Sequence, residues 1–169
     1  MPAPAKASVL LFHKALIKEI ESLLSDMEFK KTDGQIVHGV TGYEQNLPQI
    51  TEDEEDISEF FPFALVKIAP GWSTKDDEDT WHATVDIIFG IFDEDTRSAA
   101  YETLVNMIEK VTNRFNYEHL LDGSYRAEPA MTTEIQDDQP YPYSYGGVEM
   151  TFTLPKIERR VVFDESYYA

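Results

Sequence analysis

The chain has no cysteine among its 169 residues. This absence excludes disulfide bonds, thiolate zinc sites and cysteine nucleophiles, and it fits a reducing compartment. No stretch approaches the roughly 20 apolar residues that a membrane-spanning helix needs. Residues 1–6 also lack the charged start and apolar run of a secretory signal, so we expect a cytosolic protein.

Basic residues are scarce. The 14 lysines and arginines are outnumbered by 32 aspartates and glutamates, and the formal net charge is −18. A field of this sign repels phosphate backbones and anionic lipid, so neither direct nucleic-acid binding nor membrane association is expected. The simplest interpretation of the charge is solubility.

Sequence motifs of catalysis are missing as well. There is no G-x-S-x-G elbow, no G-x-x-x-x-G-K-[ST] loop and no G-x-G-x-x-G turn. The carboxylates of residues 76–79 are contiguous and lack the ligand spacing of a calcium-binding loop. The histidines are too scattered for a local metal motif: His13, His38, His82 and His119. We therefore expect no enzyme activity, no cofactor and no metal, although a carboxylate pair assembled from distant positions stays open as an alternative.

Two segments have the apolar spacing of amphipathic helices. In residues 8–27 apolar side chains recur every three or four positions, and Ser8 is placed to cap the first turn. The three carboxylates of residues 93–95 suit the positive end of a second helix dipole. The buried stripe predicted for this second helix is Ala99, Ala100, Leu104, Met107, Ile108, Val111 and Phe115.

Alternation of apolar and polar residues predicts the strands. The strongest strand is predicted at residues 81–92 (WHATVDIIFGIF), where every odd-numbered position is apolar. A compact apolar run at residues 61–68, ended by Pro70 and Gly71, is joined to it by a polar connector short enough for an antiparallel hairpin. Weaker strands are predicted at residues 35–43 and 125–135, the first as an edge or bulged strand, and a final strand with clear alternation is predicted at residues 148–154.

These elements predict an α+β fold, with a mainly antiparallel sheet and two amphipathic helices packed on one face. We expect a single domain at residues 1–155, with acidic loops near residues 51–60 and 73–80. Residues 156–169 (KIERRVVFDESYYA) form a C-terminal extension. It contains enough apolar residues to add a strand or to dock on a neighbour.

Aromatic residues in irregular segments indicate a protein–protein interface. Tyrosine and tryptophan bury a large area at modest entropic cost, which is why interfaces are enriched in them. An alternative of equal weight is that these side chains fold back and cover the rim of the core. The candidate interface residues are Trp72, Asp76, Asp77, Tyr141, Tyr143 and Tyr145.

The chain resembles the tail terminator and minor tail proteins of long-tailed bacteriophages or prophages. The resemblance lies in the order of the elements and in two passages, residues 81–111 (WHATVDIIFGIFDEDTRSAAYETLVNMIEKV) and residues 140–157 (PYPYSYGGVEMTFTLPKI). The resemblance covers about residues 5–157. It implies a structural subunit that forms a homo-oligomeric ring, expected to be a hexamer, at the end of the tail tube.

The same resemblance implies two partners, the major tail tube protein and the head–tail connector protein. It places the subunit in the virion tail, and in the host cytoplasm during assembly, and it implies no catalytic residue. Two other interpretations remain open. One is another neck or tail-completion protein of related fold, and the other is a non-viral cytosolic binding module whose acidic loops recognise a basic partner.

Overall fold

The computed structural model describes residues 6–50, 56–74 and 80–156. Two α-helices and a curled, mostly antiparallel sheet make up this part of the chain, which confirms the α+β class. Most of the predicted acidic loops, at residues 51–55 and 75–79, lies outside the described residues, as does the extension from residue 157 onward. No helix in the described ranges combines the length and apolar character needed to cross a bilayer.

The first helix, α1, spans Val9–Leu23. Ser8 caps it as predicted, because its hydroxyl oxygen accepts a hydrogen bond from the Leu11 backbone N–H at 3.2 Å. The helix is four residues shorter than the prediction at its C-terminal end. The Ser25 hydroxyl donates to the carbonyl oxygen of Ser22 at 2.7 Å, and the chain then turns into a short strand.

The second helix, α2, spans Ala99–Tyr117 and begins later than the carboxylates of residues 93–95 predicted. The Asp93 and Asp95 side chains instead accept hydrogen bonds from the backbone N–H groups two residues on, at 2.8 and 2.7 Å. These local turns compete with helical geometry, so the helix starts beyond them. The predicted stripe is buried from Leu104 to Phe115, while Ala99 and Ala100 are half-buried.

Eight strands lie in two sheets. Their bounds are β1 Glu28–Lys30, β2 Ile36–His38, β3 Thr41–Glu44, β4 Phe63–Ser73, β5 Thr80–Phe92, β6 Leu120–Leu121, β7 Tyr125–Ile135 and β8 Tyr143–Pro155. Strands β1 and β2 form a small antiparallel pair. The main sheet has the order β3-β4-β5-β8-β7-β6, and only its β3–β4 pair is parallel.

Glycine and proline positions account for several differences from the predicted strands. The segment at residues 35–43 is two strands, because Gly39 takes a φ of +78° and turns the chain between β2 and β3. Strand β4 continues past Pro70 to Ser73, with an irregular register between Ile68 and Trp72. Such an irregularity tolerates a proline, which has no N–H to donate.

Strand β8 begins five residues before its predicted start, so Gly146 and Gly147 lie within the sheet. A Cβ atom at Gly147 would collide with the carbonyl oxygen of Ile87 on the neighbouring strand. Glycine is therefore required here by close backbone approach. The strand predicted at residues 148–154 did not include these two glycines.

Both helices pack on one face of the main sheet and share a single core. The Phe12 ring of α1 lies 5.2 Å from the Tyr125 ring and 5.0 Å from the Phe152 ring, measured between centroids. Phe115 of α2 meets Phe152 edge-on at 5.3 Å. The odd-numbered residues of β5 from Ala83 to Phe89 are fully buried under these side chains.

Replacing Phe89 with Asp is expected to unfold the domain. The side chain is 0% exposed, and an unpaired carboxylate at this site would cost about 3 kcal/mol or more of folding free energy. Tyr117→Asp is the matched control, since Tyr117 is 93% exposed on α2 and should change stability by about 0.5 kcal/mol or less. Thermal denaturation followed by circular dichroism compares the two, and equal melting temperatures would contradict the assigned core.

Candidate functional site

The face of the sheet opposite the helices has its own chemistry, and within the described ranges neither α-helix covers it. Residues paired across antiparallel strands share a face, so the register defines this open face. Its central part consists of the even-numbered positions of β5 and the odd-numbered positions of β8, which pair with each other: His82, Thr84, Asp86, Ile88, Gly90, Phe92, Tyr143, Tyr145, Gly147, Glu149, Thr151 and Thr153.

One end of the open face is an aromatic cluster of Tyr43, Phe61, Phe63, Tyr143 and Tyr145. The Phe61 ring is central, with centroid distances of 5.0 Å to Phe63, 4.7 Å to Tyr143 and 5.8 Å to Tyr145. Phe61 and Phe63 are 1% and 2% exposed. These contacts make the cluster a second, smaller core that fastens β3, β4 and β8 together.

Burial in this cluster changes the chemistry of its phenols. Desolvation raises the pKa of Tyr43 above its ordinary value. Desolvation also raises the pKa of Tyr145, and the neighbouring Tyr143 adds to the effect. On the helix side, burial and the charge of Asp122 raise the pKa of Tyr125. All three phenols therefore lose their protons at a higher pH than an exposed tyrosine does.

The middle of the open face is a depression with a volume of about 450 Å³, which we call the acidic depression. Its lining includes the carboxylates of Asp86, Glu134 and Glu149, with Ile88 and Tyr145 as apolar surface. Asp86 and Glu149 are direct cross-strand partners. Like charges placed opposite each other repel, so this surface favours a cationic ligand.

At the far end of the open face, His82 joins three strands. Its Nδ1 lies 2.6 Å from a Glu128 carboxylate oxygen, and its Nε2 lies 3.4 Å from the Thr80 hydroxyl. The Thr153 hydroxyl donates to the same Glu128 oxygen at 3.3 Å. A hydroxyl, imidazole and carboxylate in this order also occur in nucleophilic sites. Here Glu128 lies within the register shift of β7, and the group links β5, β7 and β8 around that irregularity.

The structure separates the predicted interface residues into different environments. Trp72 is 51% exposed in β4, and Tyr141 is 63% exposed in the loop before β8. Tyr143 and Tyr145 belong to β8 and are half-buried in the aromatic cluster, not in an irregular exposed segment. Asp76 and Asp77 lie outside the described residues.

Trp72 and Tyr141 do not form one patch. Trp72 pairs with Ala83, whereas the aromatic cluster lies beside Gly90, seven residues further along β5. At about 3.3 Å per residue, Ala83 and Gly90 are roughly 23 Å apart along β5. Tyr141 is held beside the cluster, because its hydroxyl donates to the carbonyl oxygen of Glu94 at 3.0 Å.

Three residues that the sequence did not single out as a site are Asp86, Glu134 and Glu149. Each occupies a polar position in a predicted strand, which by itself only indicates a solvated face. Their proximity follows from the order β5-β8-β7 and its register. In the part of the chain that the structure describes, no group of three or more histidine, aspartate or glutamate side chains is arranged to hold a metal ion.

The fold defines an α+β protein with one sheet face under the helices and the other carrying the aromatic cluster and the acidic depression. The chain matches no protein-family model and no curated protein.

Stability is expected to fall as the pH rises above about 10. The pKa values of Tyr43, Tyr125 and Tyr145 are raised from 10.0 in the folded protein, so the unfolded chain loses these protons first. Their contribution is fully present below pH 10 and is lost as the pH passes through the raised pKa values. Urea denaturation as a function of pH measures the decline, and Tyr145→Phe should make it shallower. An unchanged slope in that variant would contradict the assigned burial of Tyr145.

Gly90→Ala is expected to destabilise the protein by about 1–3 kcal/mol. A Cβ atom at Gly90 would collide with the ring of Phe63. Shortening that ring in Phe63→Leu should make room, so Gly90→Ala should cost less in the Phe63→Leu background. Urea denaturation of the four proteins gives the coupling free energy, and a value of zero would show that the two side chains do not meet.

Proposed function

We propose that this chain is a structural subunit of a bacteriophage or prophage tail, a tail terminator that forms a hexameric ring at the end of the tail tube and joins it to the head connector. The resemblance of residues 81–111 and 140–157 to that family motivates the proposal. The α+β fold is compatible with it. In this role the protein acts through contact between folded surfaces, and bond-making chemistry plays no part.

The open face is the observation that carries the proposal. A ring requires a heterologous interface, in which one surface of each subunit meets a different surface of the next. The open face supplies one surface with apolar, aromatic and acidic parts. Trp72 and Tyr141 supply exposed aromatic side chains at separate places on the same molecule.

The charge of the chain also suits this role. With a formal net charge of −18, a ring of such subunits surrounds its channel with negative potential. DNA that passes through a channel of this sign is repelled from the wall and does not bind to it. The proposed partners are the major tail tube protein and the connector protein, and the proposed location is the virion tail.

The proposal predicts self-assembly that depends on the exposed aromatic residues. Trp72→Ala and Tyr141→Ala should each weaken assembly and leave the melting temperature nearly unchanged, because both side chains are more than half exposed. Tyr101→Ala is the matched control on α2, where Tyr101 is 58% exposed. Light scattering gives the mass of the particles, and negative-stain microscopy gives their shape.

Annular particles that are lost in the two variants and kept in the control would support the proposal. Some ring subunits assemble only on a tube end, so the same proteins are also mixed with purified tail tubes. Monomers in both settings would contradict the ring and would favour a binding module for a basic partner.

A further inference from the structure

We propose that the acidic depression binds the C-terminal extension of a second copy of this chain, with Arg159 and Arg160 placed against its carboxylates. The inference rests on the proposed function, because it makes the open face one half of the contact between ring subunits. It assigns a partner segment to a surface and a role to the extension at residues 156–169.

The carboxylates of the depression have no direct partner in the described part of the chain. In residues 6–50, 56–74 and 80–156, the carboxylates of Asp86, Glu134 and Glu149 take part in no ion pair and no hydrogen bond. Lys67 is the cross-strand partner of Asp86, yet the two side chains form no ion pair. A cation that binds here relieves the repulsion between Asp86 and Glu149 and is attracted by all three carboxylates.

The shape of the depression suits an arginine. Gly147 lies between Ile88 and Glu134 in the register and lines the depression, and as a glycine it places no side chain there. A guanidinium group is planar and has five donors in a fixed arrangement, so it bonds carboxylates in pairs. The Tyr145 ring at one side offers an aromatic surface for the same group.

The extension contains a pair of arginines whose charge is opposite to that of the depression, in a segment that also carries Glu158, Asp164 and Glu165. After Pro155 its cationic residues are Lys156, Arg159 and Arg160, and Val161, Val162 and Phe163 follow directly. The depression also places charged groups next to apolar ones, since its carboxylates lie beside the apolar surface of Ile88 and Tyr145. β-Branched and aromatic residues favour an extended conformation, which suits binding along a sheet face.

Distances favour a neighbouring copy over the same chain. Pro155 pairs with Thr80 at the far end of the sheet, and Glu149 lies six residues back along β8, about 20 Å away. Arg159 is only three residues beyond Lys156, or at most about 11 Å of extended chain. The chain would also have to reverse before it could approach its own carboxylates. Arg159 and Arg160 therefore reach a depression on another subunit only where that subunit packs against this end of the sheet, within about 14 Å of Lys156.

A peptide-binding experiment tests the pairing. The probe is a fluorescently labelled peptide of residues 156–169, and the host is the full-length chain carrying Arg159→Glu and Arg160→Glu, so that its own extension does not compete. Fluorescence anisotropy should show saturable binding that weakens as salt is added. Adding Glu134→Gln and Glu149→Gln to the host should weaken binding about tenfold.

Two controls make the result specific. The host with Glu102→Gln and Glu109→Gln loses the same charge from exposed positions on α2 and should bind the peptide normally. A scrambled peptide that keeps both arginines should bind more weakly than the natural sequence. Circular dichroism of each host establishes that it is folded.

No binding, equal losses in both neutralised hosts, or equal binding of the scrambled peptide would each overturn the inference. Light scattering of the full-length Arg159→Glu, Arg160→Glu chain distinguishes failure of the proposed pairing from failure of the proposed ring. If that chain still forms rings, the inference is overturned and the proposed function stands. If the unmodified chain forms no ring but the peptide binds, the pairing stands and the ring does not.

Discussion

The strict alternation of β5 is the constraint on which the rest of the structure depends. Residues Ala83, Val85, Ile87 and Phe89 are fully buried, and they pair with β4 on one side and β8 on the other. Because side chains alternate between faces, the other residues of β5 must lie on the opposite face. The single apolar stripe of each helix can then be buried only on the odd-numbered side.

Because the two helices pack on the other face, the open face is organised by contacts among its own side chains. Its aromatic cluster depends on Gly90, which has no side chain to obstruct the Phe63 ring. Gly147, which lines the depression, is a glycine because the backbone of Ile87 approaches it closely. Glycine thus acts twice on one face, once to admit an aromatic ring and once to let two strands approach closely. The same face has a buried aromatic end and an acidic middle.

Two glutamine side chains form hydrogen bonds to strand backbone groups at positions beyond the end of the neighbouring strand. Gln45 bonds both backbone groups of Ile68, accepting from the N–H at 2.6 Å and donating to the carbonyl at 3.2 Å. Gln139 does the same for Tyr145, at 2.8 and 3.0 Å. The two amides bond backbone groups just beyond the last paired residues of β3 and β7, which reduces unpaired backbone at those positions. The loop carrying Tyr141 is thereby held to the sheet.

From its sequence alone, this protein could be assigned an α+β fold, two amphipathic helices, the Ser8 cap and the central strand at Trp81–Phe92. These features depend on local periodicity and local hydrogen bonds, which a single sequence displays. The predicted start of β8 and the predicted end of β4 at Pro70 were wrong, because pairing with neighbouring strands overrules local preference. The start of α2 was predicted too early, because Asp93 and Asp95 form local turns with the backbone. Only the tertiary structure brought Asp86, Glu134 and Glu149 together, since register and strand order join residues that are far apart in the chain.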